Sequence, residues 1–213
     1  NASINSKEIK KNNIFFAIKG KKKDGNLFVK EAFSKGASLA IVNNQKKSKN
    51  KIVVKNTLKF LTEASSILRE NLSSKIISIT GSCGKTSVKE LTGRSLNKIS
   101  QTTYSPKSFN NKFGVPLSLF NLKKNDDFGI FEVGMDKKGE IDYLSKIIKP
   151  DVGVITNISY AHIKNFKSIN QIALAKSEII ENIKKDGYLI LNKDDKFYNF
   201  HKKKGLKRNL KIL

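Results

Sequence analysis

The chain has 213 residues, 38% of them hydrophobic, and carries a formal net charge of +24. This length is enough for one large or two modest domains, and the apolar content supports a packed core. No run approaches the roughly 18 apolar residues that a membrane-spanning helix needs. Cys83 is the single cysteine, which excludes an internal disulfide framework and is compatible with a reducing, cytoplasmic location.

The strong positive charge suggests nucleic-acid binding, but the residue types do not support it. Only Arg69, Arg94 and Arg208 are arginines, so nearly all the positive charge comes from lysines spread along the chain. Arginine is the residue expected to make bidentate contacts with bases and phosphates. Lysine, asparagine and isoleucine, all abundant here, share A/T-rich codons, so genomic base bias explains the charge more simply. We predict no nucleic-acid partner.

The first part of the chain predicts a small α/β unit. Its predicted strands are 13–18, 39–42 and 52–54, and its predicted helices are 24–36 and 57–70. Asp24 stands near the start of the first helix and Gly36 marks its end, in agreement with capping preferences. Strands and helices that alternate in this way are typical of a sheet with helices packed on it.

A polar connection at 71–75 leads to a second, larger unit in which strands and helices also alternate. The predicted strands are 76–80, 128–133, 152–156 and 188–191, and the predicted helices are 85–98, 139–148, 168–185 and 194–203. This order predicts an α/β fold with a mostly parallel sheet covered by helices on both faces. We therefore expect two domains, 1–73 and 74–213. The final residues 209–213 look like a further strand, so we expect an incomplete chain.

A glycine-rich turn separates the first strand of the larger unit from its first helix, within the stretch IISITGSCGKTSVKE at 76–90. The usual phosphate-binding pattern is G-x-x-x-x-G-K-[ST]. Residues 84–86 (GKT) fill its second half, but its first glycine falls on Ile79, and the loop has Gly81 instead. The order strand, turn, helix nevertheless favours phosphate binding, because the first N–H groups of a helix lack internal partners and carry the positive end of its dipole.

Two side chains of the turn suit a nucleotide. Lys85 would reach the outer phosphates, and the hydroxyl of Thr86 would stand where Mg²⁺ needs an oxygen ligand. The alternative is a plain strand-to-helix turn with a solvated lysine.

Three side chains further along the chain are candidates for the same site. Glu132 ends an apolar strand, so its carboxylate would lie at the same edge of the sheet as the turn and could hold Mg²⁺ together with Thr86. His162 follows another strand, and Lys176 lies among apolar or small residues of a predicted helix. A buried lysine is costly unless it is paired, neutralised or modified. The alternatives are a capping or surface acid, a structural histidine and a lysine on the exposed helix face.

Several motifs together resemble the Mur ligase family, most closely its member that adds D-alanyl-D-alanine to UDP-N-acetylmuramoyl tripeptide. The motifs are ITGSCGKTSVKE at 79–90, NNKFGVPLSLFNL at 110–122, FEVGMDKKGEIDYL at 131–144 and ITNISYAHIKNFKSINQIALAKSEI at 155–179. The first is similar to the family's ATP loop, T-G-[ST]-x-G-K-[TS], which explains the missing glycine. Residues 4–42 resemble the family's UDP-binding domain, so the resemblance spans almost the whole chain.

The resemblance implies roles for individual residues. Lys85 would contact the β- and γ-phosphates of ATP, and Thr86 and Glu132 would coordinate a first Mg²⁺. His162 would hold a second Mg²⁺. Lys176 matches the lysine that is carbamylated in this family, a modification that turns a cation into an anionic oxygen ligand. Lys85, His162 and Lys176 are accordingly the predicted catalytic residues.

The resemblance also defines two larger sets of binding residues. The predicted ATP-binding residues are Gly81, Ser82, Cys83, Gly84, Lys85, Thr86 and Ser87. The predicted substrate-binding residues are Ser6, Lys7, Asp24, Gly25, Asn111 and Asn157. The family's usual Asp-Ser-Arg near the uridine site reads Asn-Ser-Lys at 5–7, which replaces a planar guanidinium group by a point charge and weakens the assignment there.

The activity that the resemblance implies is ATP-dependent amide synthesis in the making of peptidoglycan precursors, a step of cell-wall formation, cell shape and division. The terminal carboxylate of the tripeptide would attack the γ-phosphate of ATP, and the amine of D-alanyl-D-alanine would then attack the acyl phosphate. ATP and Mg²⁺ are the implied cofactors, and we expect a cytoplasmic monomer without membrane insertion. Because the family's adenine-binding residues and C-terminal domain would follow Leu213, we expect weak nucleotide binding and negligible ligation from residues 1–213 alone.

Three other interpretations remain open at this point. Another Mur ligase, such as the one adding the third amino acid, is disfavoured by GMDKKGEI at 134–141, because that relative usually carries a stretch with serine and histidine there. A P-loop NTPase that works as a switch or motor would not explain the first 70 residues, nor the pair His162 and Lys176. A nucleic-acid-binding module would bind generic DNA with a steep salt dependence.

Overall fold

The computed structural model describes residues 1–20, 23–43, 46–161 and 165–213. Over these residues the chain forms two separate parallel sheets, a smaller one near the N-terminus and a larger one after it. None of the helices within the described ranges combines the length and the apolar character that crossing a membrane would require.

The smaller sheet has four strands in the order β1-β2-β3-β4 among the described residues, and each pair of neighbours is parallel. The strands are β1 (Ala2–Ser3), β2 (Ile14–Phe16), β3 (Leu39–Val42) and β4 (Lys51–Val53). The three strands predicted in this region are confirmed to within two residues at each end. The sequence did not predict β1, because two residues are too few to show an alternating pattern.

The helix predicted over 24–36 is shorter than expected. Asp24 caps a 3-10 helix at Gly25–Phe28, and the α-helix α1 spans only Val29–Ser34. Glycine and asparagine at the start of this segment are weak helix formers, which favours a tighter first turn. The second helix, α2 (Thr57–Glu70), has the predicted bounds.

The larger sheet has six described strands in the order β10-β9-β8-β5-β7-β6, again with every pair parallel. The strands are β5 (Lys75–Thr80), β6 (Thr102–Tyr104), β7 (Phe128–Glu132), β8 (Val152–Ile155), β9 (Tyr188–Leu191) and β10 (Lys211–Ile212). The predicted parallel sheet is therefore confirmed, and the strand expected near the end of the sequence is β10. The short strand β6 was not predicted.

Helices cover both faces of this sheet, as predicted. They are α3 (Lys85–Leu96), α4 (Gly114–Phe120), α5 (Glu140–Ile148), α6 (Ile169–Lys176), α7 (Glu178–Glu181) and α8 (Tyr198–Lys207). The sequence did not predict α4. The helix expected over 168–185 is two helices that meet at Ser177, whose hydroxyl donates to the carbonyl of Leu174 at 2.7 Å. The last helix begins later than the predicted 194, because side chains at 192 and 195 cap backbone N–H groups of a turn there.

Helix α3 packs on one face of the larger sheet and the later helices on the other. Val88 and Leu96 of α3 contact Ile79 and Ile130 of the sheet, while residues of α4 to α8 share a second core with the opposite face. Leu91 of α3 is 67% exposed, although it is apolar.

The two units are packed directly against each other. The ring of Phe16 in β2 meets that of Phe120 at the end of α4 edge-on, with centroids 5.3 Å apart. The side chain of Asn121 accepts a hydrogen bond from the N–H of Ala2 at 2.6 Å and donates to its carbonyl at 3.0 Å. The boundary expected after residue 73 falls between α2 and β5 and stays a prediction.

A buried arginine near the end of α2 binds the larger unit. The guanidinium of Arg69 donates to the carbonyls of Leu72, Ile148 and Lys149 at 2.9 to 3.1 Å and to the carboxylate of Asp151 at 3.0 Å. Lys149 has a φ of 48°, the left-handed region in which residues with a side chain are strained. Arg69 thus stabilises a strained turn and joins α2 to the end of α5.

We expect Arg69→Met to lower the free energy of unfolding by about 3 kcal/mol, because three carbonyls lose their donor and a buried ion pair is broken. Urea denaturation followed by circular dichroism measures the change. Arg94→Met is the matched control, since the side chain of Arg94 is 73% exposed, and it should cost less than about 0.5 kcal/mol. Equal losses in the two variants would contradict the prediction.

Candidate active site

Two glycines with positive φ shape the turn between β5 and α3. Gly81 has a φ of 145° and Gly84 a φ of 80°, and glycine adopts such values at little cost. A β-carbon at Gly81 would lie 1.9 Å from Oγ1 of Thr156, so only glycine allows this close approach. Gly84 precedes α3 and has no side chain to cap it, which leaves the start of the helix suited to an anion.

The segment that follows β8 holds the turn in place. The N–H of Ser82 donates to the carbonyl of Asn157 at 2.9 Å, and the N–H of Cys83 donates to Oδ1 of Asn157 at 3.0 Å. The hydroxyl of Thr156 donates to the carbonyl of Cys83 at 2.6 Å, and the N–H of Ser159 donates to Oγ of Ser82 at 2.8 Å. Asn157 therefore supports the loop directly, and its expected role toward substrate stays a prediction.

Lys85, the first residue of α3, extends back over the turn. Its Nζ donates to the carbonyls of Gly81 at 2.8 Å and Ser82 at 3.2 Å. The ammonium group therefore lies beside the start of the helix, where an anion would gain from both the helix dipole and the charge. Of the other predicted loop residues, Cys83 and Ser87 have exposed side chains.

A buried carboxylate faces the first turn of α3. Glu132 ends β7, the strand beside β5. Thr86 Oγ1 donates to one oxygen of the carboxylate at 2.7 Å, and Asn110 Nδ2 donates to the other at 2.7 Å. A carboxylate and a hydroxyl are the hard oxygen ligands that Mg²⁺ takes, so these residues fit the expected cation. Asn110 was not among the predicted site residues, although it stands next to Asn111 in the N-N motif.

His162 lies outside the described residues, so its expected role as a metal ligand stays a prediction. Within the part of the chain that the structure describes, histidine, cysteine and acidic side chains do not gather in threes as a ready metal site. A Mg²⁺ ion at Glu132 and Thr86 would therefore need further oxygen ligands, which the phosphates of a nucleotide and water usually supply.

Lys176 ends α6 with its side chain inside the protein, and the residue is 1% exposed. The exposed-face alternative for this lysine is therefore wrong. Its Nζ donates at 2.8 Å to the carbonyl of Gly81, the same oxygen that accepts from Lys85. Burial, and next the nearby charge of Lys85, lower the pKa of the Lys176 amine from 10.5 to about 7. A large share of this amine is uncharged near neutral pH.

The residues expected to contact uridine make local hydrogen bonds in the smaller unit. The hydroxyl of Ser6 donates to the Glu31 carboxylate at 2.8 Å, and Lys7 is exposed. Asp24 accepts a hydrogen bond from the backbone N–H two residues further on at 2.9 Å. A β-carbon at Gly25 would lie 2.6 Å from backbone atoms just after β2. Their contacts with a substrate stay predictions.

Asn111, another expected substrate residue, caps a helix. Its Oδ1 accepts hydrogen bonds from the N–H groups of Phe113 at 3.0 Å and Gly114 at 3.1 Å, which satisfies the start of α4. Because α4 was not predicted, this structural role of Asn111 was not expected from the sequence. The substrate role expected for Asn111 stays a prediction.

A parallel sheet whose central strand leads into a Gly-Lys-Thr turn, with a carboxylate at the end of the next strand, defines an α/β unit of the phosphate-binding-loop class. Comparison with known proteins identifies the family. The family model described as "Mur ligase middle domain" matches residues 79–213, and the model described as "Mur ligase family, catalytic domain" matches residues 1–70. The chain belongs to the Mur ligase family.

Several similar proteins within this family share one name or function in their descriptions. A UDP-N-acetylmuramoyl-tripeptide–D-alanyl-D-alanine ligase of Buchnera aphidicola (subsp. Baizongia pistaciae) is 40% identical over 193 residues, which cover 89% of this chain and 42% of the relative. The crystal structure of MurF from Acinetobacter baumannii is similar with a TM-score of 0.86 and 32% identity, covering 100% of this chain and 47% of that one. MurF from Thermotoga maritima in complex with ADP has a TM-score of 0.81 and 30% identity, covering 100% and 49%. The chain spans less than half the length of these relatives.

The shifted pKa of Lys176 predicts a pH-dependent stability. Between about pH 7 and 10 the unfolded chain binds a proton at this lysine that the folded chain has released, so the free energy of unfolding should rise with pH across this range. The gain is lost again as pH falls back to about 7, below which both states bind the proton. Urea denaturation at several pH values in carbonate-free buffer measures the rise. Lys176→Met should abolish it, whereas Lys98→Met, at an exposed position, should retain it; parallel curves for the wild type and Lys176→Met would contradict the prediction.

Proposed function

We propose that this protein is an ATP-dependent amide ligase of peptidoglycan precursor synthesis, which joins D-alanyl-D-alanine to UDP-N-acetylmuramoyl tripeptide. The observation that carries the proposal is the gathering of Lys85, Thr86, Glu132 and Lys176 around one glycine turn. The proposed substrates are supported by the relatives, because curated relatives at 31% to 40% identity carry the name of this ligase. Both substrates and ATP are metabolites of the cytoplasm, which is the location we propose.

In this reaction the turn at 81–87 would hold the phosphates of ATP. The backbone N–H groups at the start of α3 would donate to phosphate oxygens, and Lys85 would move from the carbonyls it now contacts toward the β- and γ-phosphates. The family member from Thermotoga maritima was crystallised with ADP, which supports a nucleotide as the ligand of this fold.

Thr86 and Glu132 are the residues proposed to hold Mg²⁺, and Asn110 would keep the second carboxylate oxygen of Glu132 in place. Mg²⁺, when bound, would reduce the repulsion between the phosphates and the attacking carboxylate and stabilise the charge of the transferred phosphoryl group. The Thr86 hydroxyl and the Glu132 carboxylate, which now share a hydrogen bond, would then both be available to the cation. His162 is proposed as a ligand of a second Mg²⁺.

Lys176 is the residue that we propose to be carbamylated. Carbon dioxide adds to an uncharged amine, and the lowered pKa of Lys176 supplies that form near neutral pH. The carbamate that forms on Lys176 is an anion, so it would attract the charge of Lys85, whereas a charged amine there repels it. The carbamate oxygens would then be available to a cation beside the phosphates.

The proposed reaction has two chemical steps. A carboxylate oxygen of the tripeptide bonds to the γ-phosphorus of ATP while the bond to the bridging oxygen of ADP breaks. The amine of D-alanyl-D-alanine then bonds to the acyl carbon, expels inorganic phosphate and loses a proton. The smaller unit, with Ser6, Lys7, Asp24 and Gly25, is proposed to hold the uridine end of the muramoyl substrate.

The assay that tests this function measures phosphate release from ATP by a full-length version of the protein, with each muramoyl peptide and each candidate amine. We expect release only with the tripeptide and D-alanyl-D-alanine together. Release with the muramoyl dipeptide and a diamino acid would instead indicate the ligase for the third residue, a structure of which shares the fold with 17% identity and a TM-score of 0.57. Release without any acceptor would indicate a plain NTPase.

Lys85→Ala should abolish ATP turnover in the full-length version, by at least about 100-fold, because it removes a charge that stabilises the transferred phosphoryl group. The fold should be retained, as judged by circular dichroism and the unfolding midpoint. Lys98→Ala is the matched control, because Lys98 is exposed and lies two residues after the end of α3. This variant should keep normal turnover. Wild-type turnover in Lys85→Ala would disprove the role given to this lysine.

A further inference from the structure

The buried face of α3 contains a lysine that the proposed chemistry does not use. Lys89 is 0% exposed. Its Nζ donates to the carbonyls of Ser105 at 2.6 Å and Lys107 at 2.5 Å and lies 3.1 Å from the Glu90 carboxylate. A buried ammonium group is expensive unless other groups replace its water, and an apolar residue of similar size would fill the same space at a lower cost. A charged residue at this position is therefore explained by the two buried carbonyls that accept its hydrogen bonds.

Those acceptors belong to one segment, residues 105–111, which connects β6 to the start of α4. Lys107 has a φ of 50°, in the left-handed region where a residue with a side chain is strained. The ammonium group of Lys89 binds the carbonyl of this same residue. A buried charge and a strained backbone therefore meet at one point, where the charge stabilises a conformation that the segment alone would disfavour.

The same segment contacts Glu132 at two places. Asn110 Nδ2 donates to the Glu132 carboxylate at 2.7 Å, and the N–H of Glu132 donates to Oγ of Ser105 at 3.4 Å. The N–H of Gly134 donates to the carbonyl of Asn110 at 2.8 Å. Lys89 binds the segment at Ser105, which makes one of these contacts, and at Lys107. A shift of the segment would therefore move the group that orients the carboxylate.

Close packing leaves the segment little freedom to shift. A β-carbon at Gly114 would lie 2.6 Å from the Cα of Phe109, and one at Gly134 would lie 2.9 Å from the side chain of Asn110. The segment also reaches the smaller unit, because Lys107 lies 3.7 Å from Glu8 and Phe109 packs in the apolar cluster between the two units. One anchored segment thus connects the smaller unit with Glu132.

We propose that Lys89 is a positioning residue. Its buried ammonium group holds residues 105–111 in the conformation in which Asn110 orients the Glu132 carboxylate toward Thr86. The consequence for catalysis rests on the function proposed above, but the position of the segment can be measured without any turnover.

Hydrogen–deuterium exchange of the chain without ligands tests the anchoring. Lys89→Met keeps the length and volume of the side chain and removes its charge. We expect exchange within 105–111 to accelerate by about ten-fold or more, because two carbonyls lose a charged donor. Peptides from the smaller sheet should exchange as in the wild type.

Arg69→Met is the matched control for a general loss of stability. Arg69 is also a buried cation that donates to the carbonyl of a left-handed lysine, Lys149, but it lies away from Glu132. This variant should accelerate exchange near its own site and leave 105–111 unchanged. Lys98→Met controls for the change of net charge.

Cation binding tests the consequence for Glu132. Mn²⁺ serves as the probe in the presence of ADP, and electron paramagnetic resonance measures its affinity for a full-length version of the protein. We expect Lys89→Met to weaken Mn²⁺ binding by about ten-fold, the size of effect typical when a group that orients a metal ligand is lost. In the ligation assay, the Mg²⁺ concentration for half-maximal rate should rise more than kcat falls.

Fast exchange confined to 105–111 together with weakened Mn²⁺ binding supports the proposal. Unchanged exchange in 105–111 overturns it, and so does equal acceleration in Lys89→Met and Arg69→Met, which would indicate only a loss of stability. Fast exchange with unchanged Mn²⁺ affinity also overturns it, because the anchored segment would then have no effect on Glu132. If the wild type fails to ligate while the exchange and Mn²⁺ results hold, the proposed function fails and the positioning role stands.

Discussion

The candidate site depends on the absence of a side chain at Gly81. Parallel pairing places the ends of β5 and β8 side by side, and Thr156, which follows β8, occupies the space that a β-carbon at Gly81 would need. The glycine turn after β5 is therefore held by the residues that follow β8. In this arrangement the Gly81 carbonyl accepts hydrogen bonds from Lys85 and Lys176, each at 2.8 Å. Any larger residue would separate the two strand ends and, with them, the two amines.

Two charged amines that share one carbonyl oxygen repel each other, and burial adds a desolvation cost at one of them. Lys176 is the buried one, so desolvation is the main reason for its lowered pKa and the charge of Lys85 is the second. Anions relieve this conflict in two ways. A phosphate would attract Lys85 away from the shared carbonyl, and a carbamate on Lys176 would make the two neighbours attract each other. The arrangement therefore suits the proposed reaction better than a solvated turn would.

Local patterns were enough to predict most of the fold and the glycine turn at the centre of the candidate site. The apolar run of β5, the glycines after it and the helix that follows are contiguous, so the sequence indicates a candidate phosphate loop directly. The buried face of α3 does not follow from residue type, because the structure exposes the apolar Leu91 and buries Lys89. The acceptors of Lys89 lie 16 and 18 residues away, and Asn110 meets Glu132 from 22 residues away. Such pairings depend on tertiary structure and leave no periodic signal.

Arg69 and Lys89 solve the same local problem at different places. Each is a buried cation that donates to the carbonyl of a lysine in the left-handed region, Lys149 in one case and Lys107 in the other. Glycine at 107 or 149 would adopt the turn without this help, because it has no β-carbon, and it would keep the carbonyl that the cation binds. Because α2 belongs to the smaller unit and the segment 105–111 borders that unit, the two cations also help to set the distance between the two units. In the proposed reaction the muramoyl peptide has to span that distance, so buried charges remote from the phosphates would contribute to aligning the reacting carboxylate.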